Sequence, residues 1–149
     1  MTAPFPSPLA DLPAADPRVS GHCRMDGPRL LFLRTARLMA IGGANDARAA
    51  SVMMGWFGRN YRRPLVLVRA LMLEMARISE RRIQLAPPCS TRLTRDEATM
   101  LRALGRAEWQ IDRCHDDACA LLSVDNALGA ATCFQAVATC FEDLGAPVR

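Results

Sequence analysis

Thr94-Arg95-Asp96-Glu97, followed by Met100, Leu101 and Leu104, decides the fold class. The Thr94 hydroxyl can accept the amide three residues on, while the Glu97 carboxylate reaches back to the amide of Thr94 and the apolar residues then recur at helical spacing. This is how an amphipathic helix begins. Outward from it the same signals recur. Toward the N-terminus, Asp26-Gly27-Pro28 starts a helix over 28–41 and Gly42-Gly43 stops it. Its one polar sector is a narrow band around Arg34 and Arg37, so Leu31, Phe32, Leu38 and Met39 predict a helix at the centre of the fold. Asn45-Asp46 caps a second helix to Phe57, with Ala50, Met53, Trp56 and Phe57 on one side and Gly58 ending it.

Pro64 opens the longest helix, to about Ser79, whose core stripe is Leu67, Val68, Leu71, Met75 and Ile78. Val66 and Leu73 lie roughly opposite that stripe among Arg69, Arg77 and Arg81, an apolar spot inside a basic rim. Residues 83–86 are too short for a strand, and Pro87-Pro88 forces an extended link. Beyond the capping box, the pattern predicts a fifth helix over 107–122 and a sixth over 126–144 with Gly145 after it. Six helices on short links give an all-α domain over 26–149, bundle-like or an orthogonal array. Residues 1–25 hold half of the 10 prolines and read as a disordered leader. No internal repeat or sustained heptad is present.

Composition agrees. Half of the 149 residues are apolar and only 5% aromatic, so one core must be built mainly from Leu, Ala, Val and Met, which suits packed helices. The first arginine is Arg18 and prolines interrupt every early apolar step, so no signal peptide is expected and the chain is placed in the cytoplasm. The longest uncharged run, 126–141, falls short of the roughly 20 apolar residues of a membrane span. Six cysteines without an export signal are expected as reduced thiols.

The charge is uneven. All 19 basic residues are arginine, and residues 18–82 carry thirteen of them against Asp26, Asp46, Glu74 and Glu80. GC-rich coding gives the same lysine-free composition, but guanidinium also tolerates burial at contacts better than ammonium does.

Among chemistry-bearing patterns, Glu108, Asp112, His115 and Cys119 fall four, three and four apart on the fifth helix, one line of donors that could chelate a divalent metal. An acidic solvated face with one histidine gives the same spacing, and a di-iron bundle would need a second Glu-x-x-His element. His22-Cys23 could add donors but borders the leader. Cys114, Cys133 and Cys140 read as core thiols. Cys89, in a loop near Arg92 and Arg95, is the candidate for a reactive thiolate, without a histidine base near it in sequence. Trp56-Phe57-Gly58-Arg59-Asn60-Tyr61-Arg62-Arg63 interleaves rings with arginines as single-strand binders do, although a helix end closing on the core gives the same run. A helix-turn-helix after the capping box would present Asp112, Asp116 and Asp117 to phosphates. No phosphate loop, nucleophile elbow or Cys-x-x-Cys occurs, so no enzyme and no cofactor are expected.

The words Phe57-Gly58, Tyr61-Arg62-Arg63-Pro64-Leu65, Arg69-Ala70-Leu71-Met72, Ala76-Arg77-Ile78-Ser79, Ala86-Pro87, Cys89 and Thr94 with Asp96-Glu97 resemble those of an uncharacterised family of small helical bacterial proteins, over about residues 30–144. The family's loop after Ala-Pro is richer in cysteine than the single Cys89 here, which argues against a metal site in that loop. No activity comes with the resemblance.

The leading expectation is therefore a non-enzymatic interaction or regulatory protein, engaging a protein partner or a second copy in a homodimer through Arg62, Arg63, Val66, Arg69, Leu73 and Arg77. The alternatives are nucleic-acid binding through Arg59, Arg62, Arg63, Arg69 and Arg77, and a metal or thiol sensor at Glu108, Asp112, His115 and Cys119.

Overall fold

Helix α1 (Gly27–Gly42) packs on α2, α3 and α4 and is covered round most of its circumference, with Leu31, Phe32, Leu33, Ala36, Leu38 and Met39 buried. The computed structural model describes residues 27–149; the Asp26 cap, the proline-rich leader and His22-Cys23 lie outside the described residues. Five further helices follow: α2 (Ala47–Phe57), α3 (Arg62–Ile78), α4 (Arg95–Arg106), α5 (Ile111–Leu122) and α6 (Leu128–Asp143). A 3-10 turn, Gly58–Asn60, links α2 to α3. The described residues contain no strand, and the protein is all-α, as the sequence predicts.

Asp46 caps α2, its Oδ1 accepting the Arg48 amide at 2.7 Å. Its carboxylate occupies the space that a Cβ on Gly42 would need, so α1 must end on a residue without a side chain. Gly58 then closes α2 with φ +56°. α3 begins two residues before Pro64, which sits within the first turn and so removes no intrahelical hydrogen bond. Its buried line is Pro64, Leu65, Val68, Leu71 and Met75, rotated slightly from the expected stripe, with Leu67 and Ile78 only partly covered. α3 and α6 run antiparallel, since Arg63 reaches Asp143 at one end and Glu74 covers Gly129 at the other. Phe57, at the end of α2, meets Phe141 of α6 edge-on at 5.2 Å.

Helices α4 and α5 form a hairpin tied by Asp117, which accepts from Arg102 Nε at 2.9 Å and Arg106 Nη1 at 2.8 Å. The hairpin corrects one expectation. α5 begins at Ile111, not at 107, because residues 107–109 turn and Gln110 takes φ −140°, outside the helical region. Glu108 is therefore off the helix.

A second correction concerns Arg37, expected on the outer polar sector of α1. It is 2% exposed. Its Nε donates to Glu97 Oε1 at 2.7 Å and its Nη2 to Glu97 Oε2 at 2.9 Å, while Nη1 and Nη2 also donate to the carbonyls of Ser90 and Arg92 at 2.7 and 2.9 Å. Glu97 also accepts the amides of Ala86 and Thr94 at 2.9 and 2.8 Å. The capping box forms on both sides. Its glutamate is also the buried anchor of the 79–94 segment, which has no helix or strand to hold it. Backbone groups that regular structure would have paired are paired here by one carboxylate and one guanidinium.

Candidate functional site

Helix α3 starts with Arg62 and Arg63, and no acid stands in its first turn to offset them against the positive end of the helix dipole. Its outward line continues through Val66, Ala70, Leu73 and Arg77, residues spaced four, three and four apart that all face solvent. Val66 is 57% and Leu73 59% exposed, high for residues of that hydrophobicity on a helix with a full core stripe. Beside Val66, between α2 and α3, lies a hollow of about 300 Å³ with Ala50, Tyr61 and Leu65 as its apolar lining and Arg62 and Arg69 at its rim.

The arginines of this face differ in what holds them. Arg69 Nε donates to the Ala44 carbonyl at 2.8 Å, which pins that guanidinium over the α1–α2 link. Arg77 grips Glu74 through two bonds of 2.8 Å, and this holds the Glu74 carboxyl below its usual range. Arg63 reaches Asp143 at 3.4 Å, an exposed pair of little energetic weight. Arg59 and Arg62 make no ion pair among the described residues. The face therefore has bonded guanidiniums at Arg69 and Arg77, a weakly paired one at Arg63, and ones without an ion pair among the described residues at Arg59 and Arg62.

The run of rings and arginines at 56–63 separates in space. Phe57 packs on Phe141 and Tyr61 lines the hollow. Trp56 does not close onto the core: it is 49% exposed and lies over Gly27, where a Cβ would come 2.5 Å from the indole. One half-exposed indole is the stacking surface this run offers.

Of the four candidate donors near α5, His115 and Cys119 are side by side, Sγ lying 3.6 Å from Nε2. Nε2 also accepts the Ala127 amide at 3.2 Å, so the α5–α6 turn holds the imidazole in place. Asp112 is exposed one turn earlier and Glu108 belongs to the preceding turn. Among the described residues no three His, Cys, Asp or Glu side chains converge as a metal centre requires. Cys114 and Cys140 are buried, Cys133 half-buried and Cys89 exposed. Burial, reinforced by Asp117, pushes the Cys114 thiol up to about 12, and burial also raises Cys133 and Cys140. These three are packing thiols at neutral pH.

One constellation escaped the sequence reading. A second concavity opens between α4, α5 and the segment before α4, with Arg81, Arg95, Thr99 and Arg102 on its walls. The signal was available, since Arg95, Thr99 and Arg102 are four and three apart and so share one face of α4.

No helix among the described residues is long and apolar enough to cross a membrane. No curated protein and no solved structure matches the chain. A family model, described as a family of unknown function (DUF6628), matches residues 23–140, close to the span over which the sequence resembles an uncharacterised helical family. Covering the whole of α1 to α5 and most of α6, that match makes this chain a member of the DUF6628 family.

Proposed function

We propose that this chain is a non-enzymatic protein–protein interaction module, and that its first partner is a second copy of itself. The observation that carries the reading is the exposed Val66–Leu73 line of α3 beside an apolar hollow with arginines at its rim. An apolar centre supplies affinity and a charged rim supplies steering and register, which is the division of roles at ordinary interfaces. The matching surface carries apolar side chains flanked by carboxylates. The start of α5 offers apolar side chains with carboxylates near them: Trp109 is 73% exposed, with the Arg149 guanidinium over its ring, and Ile111 is followed by the exposed Asp112 and Asp116. Sedimentation velocity over a concentration series tests this. The wild type should associate, more weakly at high salt, and Val66→Asp with Leu73→Asp should sediment as a monomer with unchanged helicity, because both residues are on the surface. A wild type still monomeric at roughly 100 µM, two orders above a micromolar Kd, overturns the proposal.

The nucleic-acid reading uses the same arginines, but of the rings in the 56–63 run Trp56 is the half-exposed one, Phe57 packing on Phe141 and Tyr61 being partly buried in the wall of the hollow. It therefore ranks second.

A further inference from the structure

The concavity between α4 and α5 has a volume of about 460 Å³, within the roughly 300–1,000 Å³ of small-ligand sites. Its walls carry three guanidiniums, Arg81, Arg95 and Arg102, against one carboxylate, Asp96. That carboxylate is already committed. Arg81 donates to both of its oxygens, Nη2 to Oδ1 at 2.5 Å and Nη1 to Oδ2 at 3.1 Å, and the Gln84 amide adds a third bond at 2.7 Å.

The other two arginines are not committed to the same degree. Arg102 donates Nε to Asp117, and among the described residues its two terminal nitrogens bond nothing. Arg95 is exposed and pairs with no group among the described residues. It stands at the first position of α4, where the helix dipole disfavours a cation, and one face of the helix brings it toward Arg102. The two acids of that first turn, Asp96 and Glu97, are buried and paired elsewhere. Among the described residues Arg95 is thus the cleft cation without a partner, while Arg102 shares the single carboxylate of Asp117 with Arg106.

Nor is this a helix-terminus site. The first-turn amide of Glu97 is taken by the Thr94 hydroxyl, and the cleft walls present guanidiniums to an anion. The rest of the lining is Ala98, Ala120, the almost fully covered Leu121, and Thr99, whose hydroxyl donates to the Arg95 carbonyl.

We propose that this cleft binds a small organophosphate, its phosphate held between Arg95 and Arg102 and its organic part lying on Ala98 and Ala120. Guanidinium forks pair two oxygens each, which suits the three terminal oxygens of a phosphate monoester better than the two of a carboxylate. This site is independent of the α3 face, so either reading can fail alone.

Isothermal titration calorimetry of the full chain with phenyl phosphate tests the proposal, with inorganic phosphate and phenol as the two half-probes. Phenyl phosphate should bind more tightly than either half. Arg95→Ala should weaken it by at least about tenfold without lowering the Tm, since Arg95 has no bond to lose, and Arg62→Ala on the other basic face should leave it unchanged. No binding of phenyl phosphate at about 10 mM, equal affinity for inorganic phosphate, or equal loss in Arg62→Ala and Arg95→Ala would each overturn it.

Discussion

Glu97→Ala tests whether one buried carboxylate holds the 79–94 segment. Glu97 is completely buried and Arg37 nearly so. Truncating the carboxylate leaves the guanidinium charge without a counter-ion and takes the acceptor from the amides of Ala86 and Thr94. Breaking a buried pair from one side costs about 3–5 kcal/mol, a large part of the roughly 5–15 kcal/mol that holds a domain folded. At an unfolding entropy of about 2.1 cal/mol/K per residue, that corresponds to a Tm lower by about 12–20 °C for a domain of this size. The double variant Arg37→Met with Glu97→Leu separates two accounts. An ion pair that served only itself could be replaced by apolar residues at little cost. Here the double variant also strands the Ser90 and Arg92 carbonyls and the two amides, so it should remain destabilised. Thermal melts followed by circular dichroism give the stabilities, and hydrogen exchange at Ala86 and Thr94 should accelerate in both variants. A fall of under about 4 °C in Glu97→Ala, or a double variant that regains wild-type stability, would refute the reasoning.

Two further predictions concern single residues. Ser123 ends α5 at φ 55°, the left-handed conformation that costs a non-glycine residue about 1–2 kcal/mol, and glycine would return part of this as extra freedom of the unfolded chain. Ser123→Gly should thus raise stability by about 0.5–1 kcal/mol in urea melts, and a loss would contradict the backbone account. Cys114 is the second. Its folded pKa is raised to about 12 from the ordinary 9.0, so above pH 9 the unfolded chain releases a proton that the folded chain keeps. Its contribution is intact below pH 9 and declines as the pH rises toward 12; Cys114→Ala should flatten the alkaline loss of stability, and parallel curves for the two proteins would count against it.

The fold was readable wherever the signal was local. The capping box, Asp46, Gly58 and the apolar spacing of α3 each act within one or two turns, and each structure that they specify is present. What escaped depends on partners far away in the chain. Arg37 sits on the correct side of α1 to be called polar, and only the arrival of Glu97, sixty residues later, makes burial tolerable. Trp56 has the spacing of a core residue but lies half exposed over Gly27, and it is the Phe57 ring that packs on Phe141. The start of α5 was misplaced because residues 107–110 have no proline or glycine to announce the turn. Of the α3 face, Val66 and Leu73 were legible as breaks in amphipathicity, whereas the hollow beside them depends on how α2 meets α3 and leaves no mark in either helix alone.

Asp96 and Glu97 are adjacent, so their side chains leave α4 about 100° apart and serve different neighbours. Glu97 turns to Arg37 and fastens Ala86 and residues 90–94, whereas Asp96 turns to Arg81 and fastens Gln84. The first turn of α4 thus secures both ends of a segment that has no regular structure of its own. This bears directly on the cleft. Its Arg81 wall is fixed when the chain folds, so a ligand there need order only Arg95 and the outer end of Arg102, which lowers the entropy cost of binding on a site made mostly from long side chains. It also explains why two acids in the first turn do not neutralise the arginine beside them: each is bound to a different cation before Arg95 is reached, and the charge left over points into the cleft.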